Sequence, residues 1–221
     1  MKPVTTTILL LTMTFWLSIS LTGKPEMTKP GANPPAAQPY DGKGWLGLFR
    51  AGSGFELRPW QADAPLDPSQ SLAVSNRAED EEQPLFLVRG FEGIQPGTIP
   101  TVHGESRALS PGTDLIWGEQ ETEYRLLVTG KLLVPQGPRL LIDYQLTLSL
   151  DGRDQILHQQ QQFTGDPVPR LLWAGDLDGD HRIDLFMDMD GETSKTLMLF
   201  LSSAAEPGEH LRKAADLRIP F

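Results

Sequence analysis

The sequence predicts a mainly β protein, with antiparallel hairpins packed into one compact domain, sandwich or barrel-like. Three observations lead there. Leu140, Ile142, Tyr144, Leu146, Leu148 and Leu150 stand at every second position, with Asp143, Gln145, Thr147 and Ser149 between them. This is the period of a half-buried strand. Asp151-Gly152 follows at once, and two-residue hairpin turns favour Asp-Gly because both residues accept positive φ. No apolar pattern of helical period persists for four turns anywhere in the chain.

The chain opens with Lys2 and an apolar run from Ile8 to Ile19. That length matches the roughly 7–15 residues of a signal-peptide core and falls short of the roughly 20 a spanning helix needs. Ser18 and Ser20 set small residues ahead of a cleavage point after Ser20. Residues 1–20 therefore read as a signal peptide, and the domain as exported, periplasmic or extracellular. An uncleaved N-terminal anchor is the alternative, and no other integral membrane element is expected. Residues 21–40 read as a linker. Pro25, Pro30, Pro34, Pro35 and Pro39 remove backbone donors and favour extended chain, so no packed element is expected there. The β domain covers 41–221.

Within it, Gly44 to Phe49, a glycine-rich turn over Ala51 to Gly54, and Phe55 to Arg58 read as a hairpin. Residues 61–84 are polar, with Leu72-Ala73-Val74 a short strand candidate and Glu79 to Glu82 a solvated acidic loop. Leu85 to Val88 reads as a buried strand. Residues 89–112 are rich in glycine and proline and are expected to be loop. Leu115 to Trp117, Tyr124 to Val128 and Leu132 to Val134 are strand candidates, the last two separated by Gly130-Lys131. Ile156 to Phe163 returns antiparallel to the 140–150 strand, with Gln159 to Gln162 as polar positions. Arg170 to Trp173, Ile183 to Met189 and Thr196 to Leu201 complete the strands, with a turn at Asp190-Gly191. Residues 208–218 fit either a short helix or a last strand.

Charge and composition narrow the function. The net charge is −10, and no basic run is present, which disfavours nucleic acid and anionic membrane surfaces as partners. The chain has no cysteine, which rules out a disulfide framework and a thiolate metal site. An exported domain of this kind is held by its core, with a metal as the remaining form of staple.

The sharpest chemical statement lies at Asp176-Leu177-Asp178-Gly179-Asp180-His181-Arg182-Ile183-Asp184. Counted from Asp176, carboxylates occupy positions 1, 3, 5 and 9, and Arg182 at position 7 would offer its backbone carbonyl. Short carboxylates at alternate positions of a curled loop can converge on one point, and calcium takes about six to eight such hard oxygen ligands. Two unit charges about 4 Å apart in water repel by about 1 kcal/mol, so the ionised set is unfavourable until a divalent cation offsets it. Magnesium demands tighter octahedral geometry, and zinc would want His or Cys, of which only His181 is present. An acidic turn without metal is the plain alternative. The pattern is not an EF-hand, because the glycine is at position 4 rather than 6 and Met187, not Glu, stands at 12.

The stretch resembles the β-type calcium loops of FG-GAP and VCBS repeats, whose usual form is Asp-x-Asp-Gly-Asp-Gly-x-x-Asp-Leu. Asp176, Asp178, Gly179, Asp180, Asp184 and Leu185 match it. His181 departs from it, standing where the family has a glycine in a left-handed turn; His is among the residues enriched in that conformation. The resemblance implies calcium bound by Asp176, Asp178, Asp180, Arg182 and Asp184. Those repeats occur in arrays that build propellers. One copy in a chain of this length cannot supply the blades, so a full propeller is not expected. Residues 170–205 as a whole also resemble the C-terminal part of a group of exported bacterial proteins.

Other constellations are weaker. Asp188, Asp190 and Glu192 could form a second metal cluster, but Asp190-Gly191 reads better as a turn. Gly104-Glu105-Ser106-Arg107-Ala108 nearly spells a nucleophile elbow without the strand–turn–helix context it needs. His103, His158, His181 and His210 are scattered. Trp45, Trp60, Trp117 and Trp173 read as core before carbohydrate platform. The expectation is an exported, calcium-stabilised β domain with a binding or cell-envelope role, its partner an unknown protein or glycan. No catalytic residue is named, and a small secreted hydrolase using carboxylates is the alternative.

Overall fold

The computed structural model describes residues 26–28, 45–60, 83–119, 122–133, 139–164, 168–189 and 194–220. The expected signal peptide, the Leu72–Val74 strand, the acidic run at 79–82 and the Asp190-Gly191 turn lie outside them. The described residues contain strands and turns and no helix.

Three antiparallel sheets carry the chain. The first holds β1 (Glu26–Thr28), β2 (Leu46–Ala51), β3 (Gly54–Pro59), β4 (Phe86–Arg89) and β5 (Gly97–Ile99), in the order β1-β4-β2-β3-β5. The chain then lays down β6 (Thr101–His103) and β7 (Arg107–Ala108). It next forms a four-stranded meander of β8 (Asp114–Glu119), β9 (Thr122–Leu133), β10 (Leu140–Leu150) and β11 (Arg153–Thr164). It returns to β6 with β12 (Arg170–Gly175), β13 (Asp184–Asp188), β14 (Ser194–Leu201) and β15 (Arg212–Pro220). This sheet is ordered β15-β14-β13-β12-β6, with β7 also paired to β12. None of the three sheets closes into a barrel.

The β6–β15 sheet is the middle layer. Leu185, Met187, Met189 and Phe200 pack with Leu126, Val128, Tyr144, Leu146 and Leu148 of the meander. Phe186, Leu197, Leu199, Leu201 and Trp173 pack on its other face with Leu48, Phe55, Leu57, Phe86 and Val88 of the first sheet. Neighbours on β13 thus point into different cores, and all five of its residues are buried. A strand covered on both faces reads as a continuous apolar run, which is why Ile183 to Met189 lacks alternation.

Several expectations change in detail. Gly130 does not divide two strands; it lies inside the continuous β9. Opposite it β10 bulges between Ile142 and Gln145, with Asp143 at φ +52 and Gly130 at φ +128. A Cβ on Gly130 would sit 3.0 Å from the carbonyl oxygens of both Ile142 and Asp143, so the bulge requires glycine there. The bulge also breaks the simple alternation of β10. Leu141 is fully buried while Leu140 and Ile142 are half-buried, and from Tyr144 to Leu148 every residue but Gln145 is buried. Residues 89–112, expected to be loop, contain β5, β6 and β7, strands too short to leave a periodic signal. Within the stretch expected to be linker, Glu26–Thr28 pairs with β4. Of the two options for 208–218, the strand is the one formed. The Asp151-Gly152 turn forms as expected, with φ of +51 and +73.

Candidate metal centre

The connection from β12 to β13 is the acidic loop. It starts at Gly175, because β6 crosses directly over that residue. The Asp176 N–H donates to the Pro100 carbonyl at 2.9 Å. The loop is anchored on both sides: Leu177 is buried in the core of the first sheet and Ile183 in the core of the meander.

Between those anchors the aspartates curl the backbone around themselves. The Asp176 carboxylate accepts the Gly179 N–H at 2.8 Å and the His181 N–H at 3.0 Å. Asp178 accepts the Asp180 N–H at 3.3 Å, and Asp180 accepts the Arg182 N–H at 2.9 Å. Asp184 reaches back to the Leu177 N–H at 2.8 Å. Carboxylates that capture the N–H two or three residues on make tight turns. Gly179 at φ +79 and His181 at φ +63 supply the left-handed steps, the latter where the spacing required it.

One carboxylate oxygen each from Asp176, Asp178 and Asp184 lies within 4.8 Å of the others. The three residues are buried, Asp184 completely. Burial pushes the Asp184 carboxyl well above the usual range, and the neighbouring charges of Asp178 and Asp180 add to this against the Ser202 and Leu177 N–H groups. Burial also raises Asp178, offset in part by the Ser203 hydroxyl and raised further by Asp180 and Asp176. Arg182 turns its guanidinium away, donating to the carbonyls of Ser202 at 3.4 Å and His210 at 2.9 Å. The His181 ring approaches the cluster through Nδ1, 3.8 Å from Asp176, and is almost wholly exposed. Hard oxygen donors, buried and mutually repelling, fit a divalent cation. This acidic cluster could hold a metal ion.

Of the five expected ligands, Asp176, Asp178 and Asp184 come together. Asp180 lies outside that 4.8 Å group; its carboxylate accepts the Arg182 N–H and the Ser202 hydroxyl at 2.7 Å. The Arg182 side chain ties the loop to the β14–β15 connection. Sequence reasoning missed Ser202 and Ser203. The Ser202 N–H donates to Asp184 at 2.8 Å, and the Ser203 hydroxyl donates to Asp178. The only local hint was a polar pair closing the apolar run of β14.

Asp188 pairs with Lys195 in the middle sheet, and Asp190 and Glu192 lie outside the described residues. Ser106 accepts the Arg170 guanidinium at 2.6 Å in an exposed strand connection. Trp173 and Trp45 are core, while Trp60 and Trp117 are half-buried. No protein-family model, no curated protein and no solved structure matches this chain.

Proposed function

We propose that this protein is an exported β domain stabilised by one calcium ion in a loop of the FG-GAP/VCBS type, with a binding or cell-envelope role. Asp176, Asp178 and Asp184 would hold the ion, with Asp180 and the Arg182 carbonyl as further oxygens of the same loop. The observation that carries this reading is the convergence of three carboxylate oxygens within 4.8 Å, Asp184 being buried and the other two side chains partly so. Calcium is favoured over softer metals because every donor is a hard oxygen, and over magnesium because a loop of backbone and carboxylate oxygens tolerates irregular coordination. The loop supports a staple rather than hydrolysis. Asp184 is fully buried, and Ser202, Ser203 and Leu177 already bond to the carboxylates a hydrolase would need free in a cleft.

Thermal unfolding in millimolar calcium and in chelator tests this. The expected outcome is a higher midpoint with calcium, and equal midpoints would overturn the reading.

A further inference from the structure

We propose that the cleft beside the acidic loop binds a neutral saccharide, with Trp117 as the ring on which a sugar stacks. The proposal rests on the binding role above and names its ligand class.

The cleft has a volume of about 840 Å³, within the range of roughly 300–1,000 Å³ typical of small-ligand sites. It forms for a topological reason. Trp117 and Tyr124 are cross-strand partners near the tip of the β8–β9 hairpin. Deeper in the meander, Leu126 and Leu148 are covered by the middle sheet. At the tip the loop lies beside the hairpin, and the two rings, packed on the edge of that core, also line a cleft. Val102 of β6 and the preceding Pro100 also line the cleft, and Val102 remains 42 % exposed.

The chemistry of the lining selects the ligand. A sugar ring presents an apolar C–H face and a rim of hydroxyls. Trp117 offers the aromatic surface, while Thr122 and His181 offer hydrogen-bonding groups around it. The His181 imidazole is 96 % exposed and so available to a ligand. An anionic ligand fits poorly. The cation in the lining, Arg182, is engaged with two backbone carbonyls, and the chain carries −10 overall. A purely apolar ligand would leave the Thr122 hydroxyl and the His181 ring facing it without using them.

An array of immobilised neutral glycans, probed with the full chain in calcium, tests this, followed by titration calorimetry with the trisaccharide of the strongest hit. The expected result is saturable binding, weakened about tenfold or more in Trp117→Ala. Because that change could loosen the hairpin, Val102→Glu serves as a second variant. Its position is exposed, so it should abolish binding while leaving the calcium-dependent rise in midpoint intact. Retention of no neutral glycan overturns the proposal, as does affinity unchanged in both variants or capture of peptides alone. A chain that gains stability from calcium but binds no glycan refutes the saccharide site only. A chain without that gain refutes the ion reading and leaves the Trp117 comparison to stand on its own result.

Discussion

Ser202 donates its backbone N–H to Asp184 at 2.8 Å and sets its hydroxyl 3.1 Å from the same carboxylate oxygen. Asp184 is fully buried. A carboxylate at that depth, next to Asp178, is supported by the end of a neighbouring strand. The shape of the acidic loop therefore depends on the pairing of β13 with β14.

Calcium should raise the unfolding midpoint, and Asp178→Ala should erase the rise. With dissociation constants of about 10⁻⁴–10⁻³ M, as in extracellular modules, 10 mM calcium stabilises by about 1.4–2.7 kcal/mol. For a chain of this size that is about 3–11 °C. Scanning calorimetry of both proteins with calcium and with chelator measures it.

The calcium increment should shrink as the pH falls. Asp184 and Asp178 have raised pKa values in the folded chain, so between the unfolded value near 4 and the raised folded value the folded state binds more protons. Without the ion, these two groups make the fold less stable as pH rises through that window. Protons compete with a cation for the same oxygens. The difference in midpoint between calcium and chelator should be larger at neutral pH than at pH 5, and an increment that grows on acidification would contradict the assignment.

Two loop positions should respond in opposite directions. A Cβ on Gly175 would run into the Pro100 carbonyl oxygen and lie 2.5 Å from Trp173 Cζ2. Gly175→Ala should therefore cost about 2–4 kcal/mol, since β6 must move aside. His181 sits at φ +63 with an exposed ring, so His181→Gly should stabilise by up to about 1 kcal/mol by removing a left-handed non-glycine residue. Urea denaturation of each variant gives both values.

Lys195→Met should destabilise the middle sheet by about 3–5 kcal/mol, because it leaves Asp188 charged and buried without its partner. One Asp188 oxygen already has no hydrogen-bond partner. Adding Asp188→Leu to Lys195→Met should restore most of the loss, since an apolar pair of similar size removes the uncompensated charge. Chemical denaturation of the single and double variants forms the cycle.

The sequence by itself determined the β class, the turn at Asp151-Gly152 and the spacing of Asp176, Asp178 and Asp184. Strand period and turn chemistry are local, set by residues within a few positions of each other. The left-handed step at His181 was legible for the same reason. Only the tertiary structure decided which oxygens meet. It turned Asp180 onto Ser202 and brought Ser203 to Asp178. It also placed Gly130 opposite the β10 bulge and left Trp117 at the open end of a core. The two hydrogen bonds join residues 22 and 25 positions apart, and such relationships exist only once strands pair and sheets stack. Hydrophobic burial drives that stacking without regard to sequence distance, so no local pattern announces it.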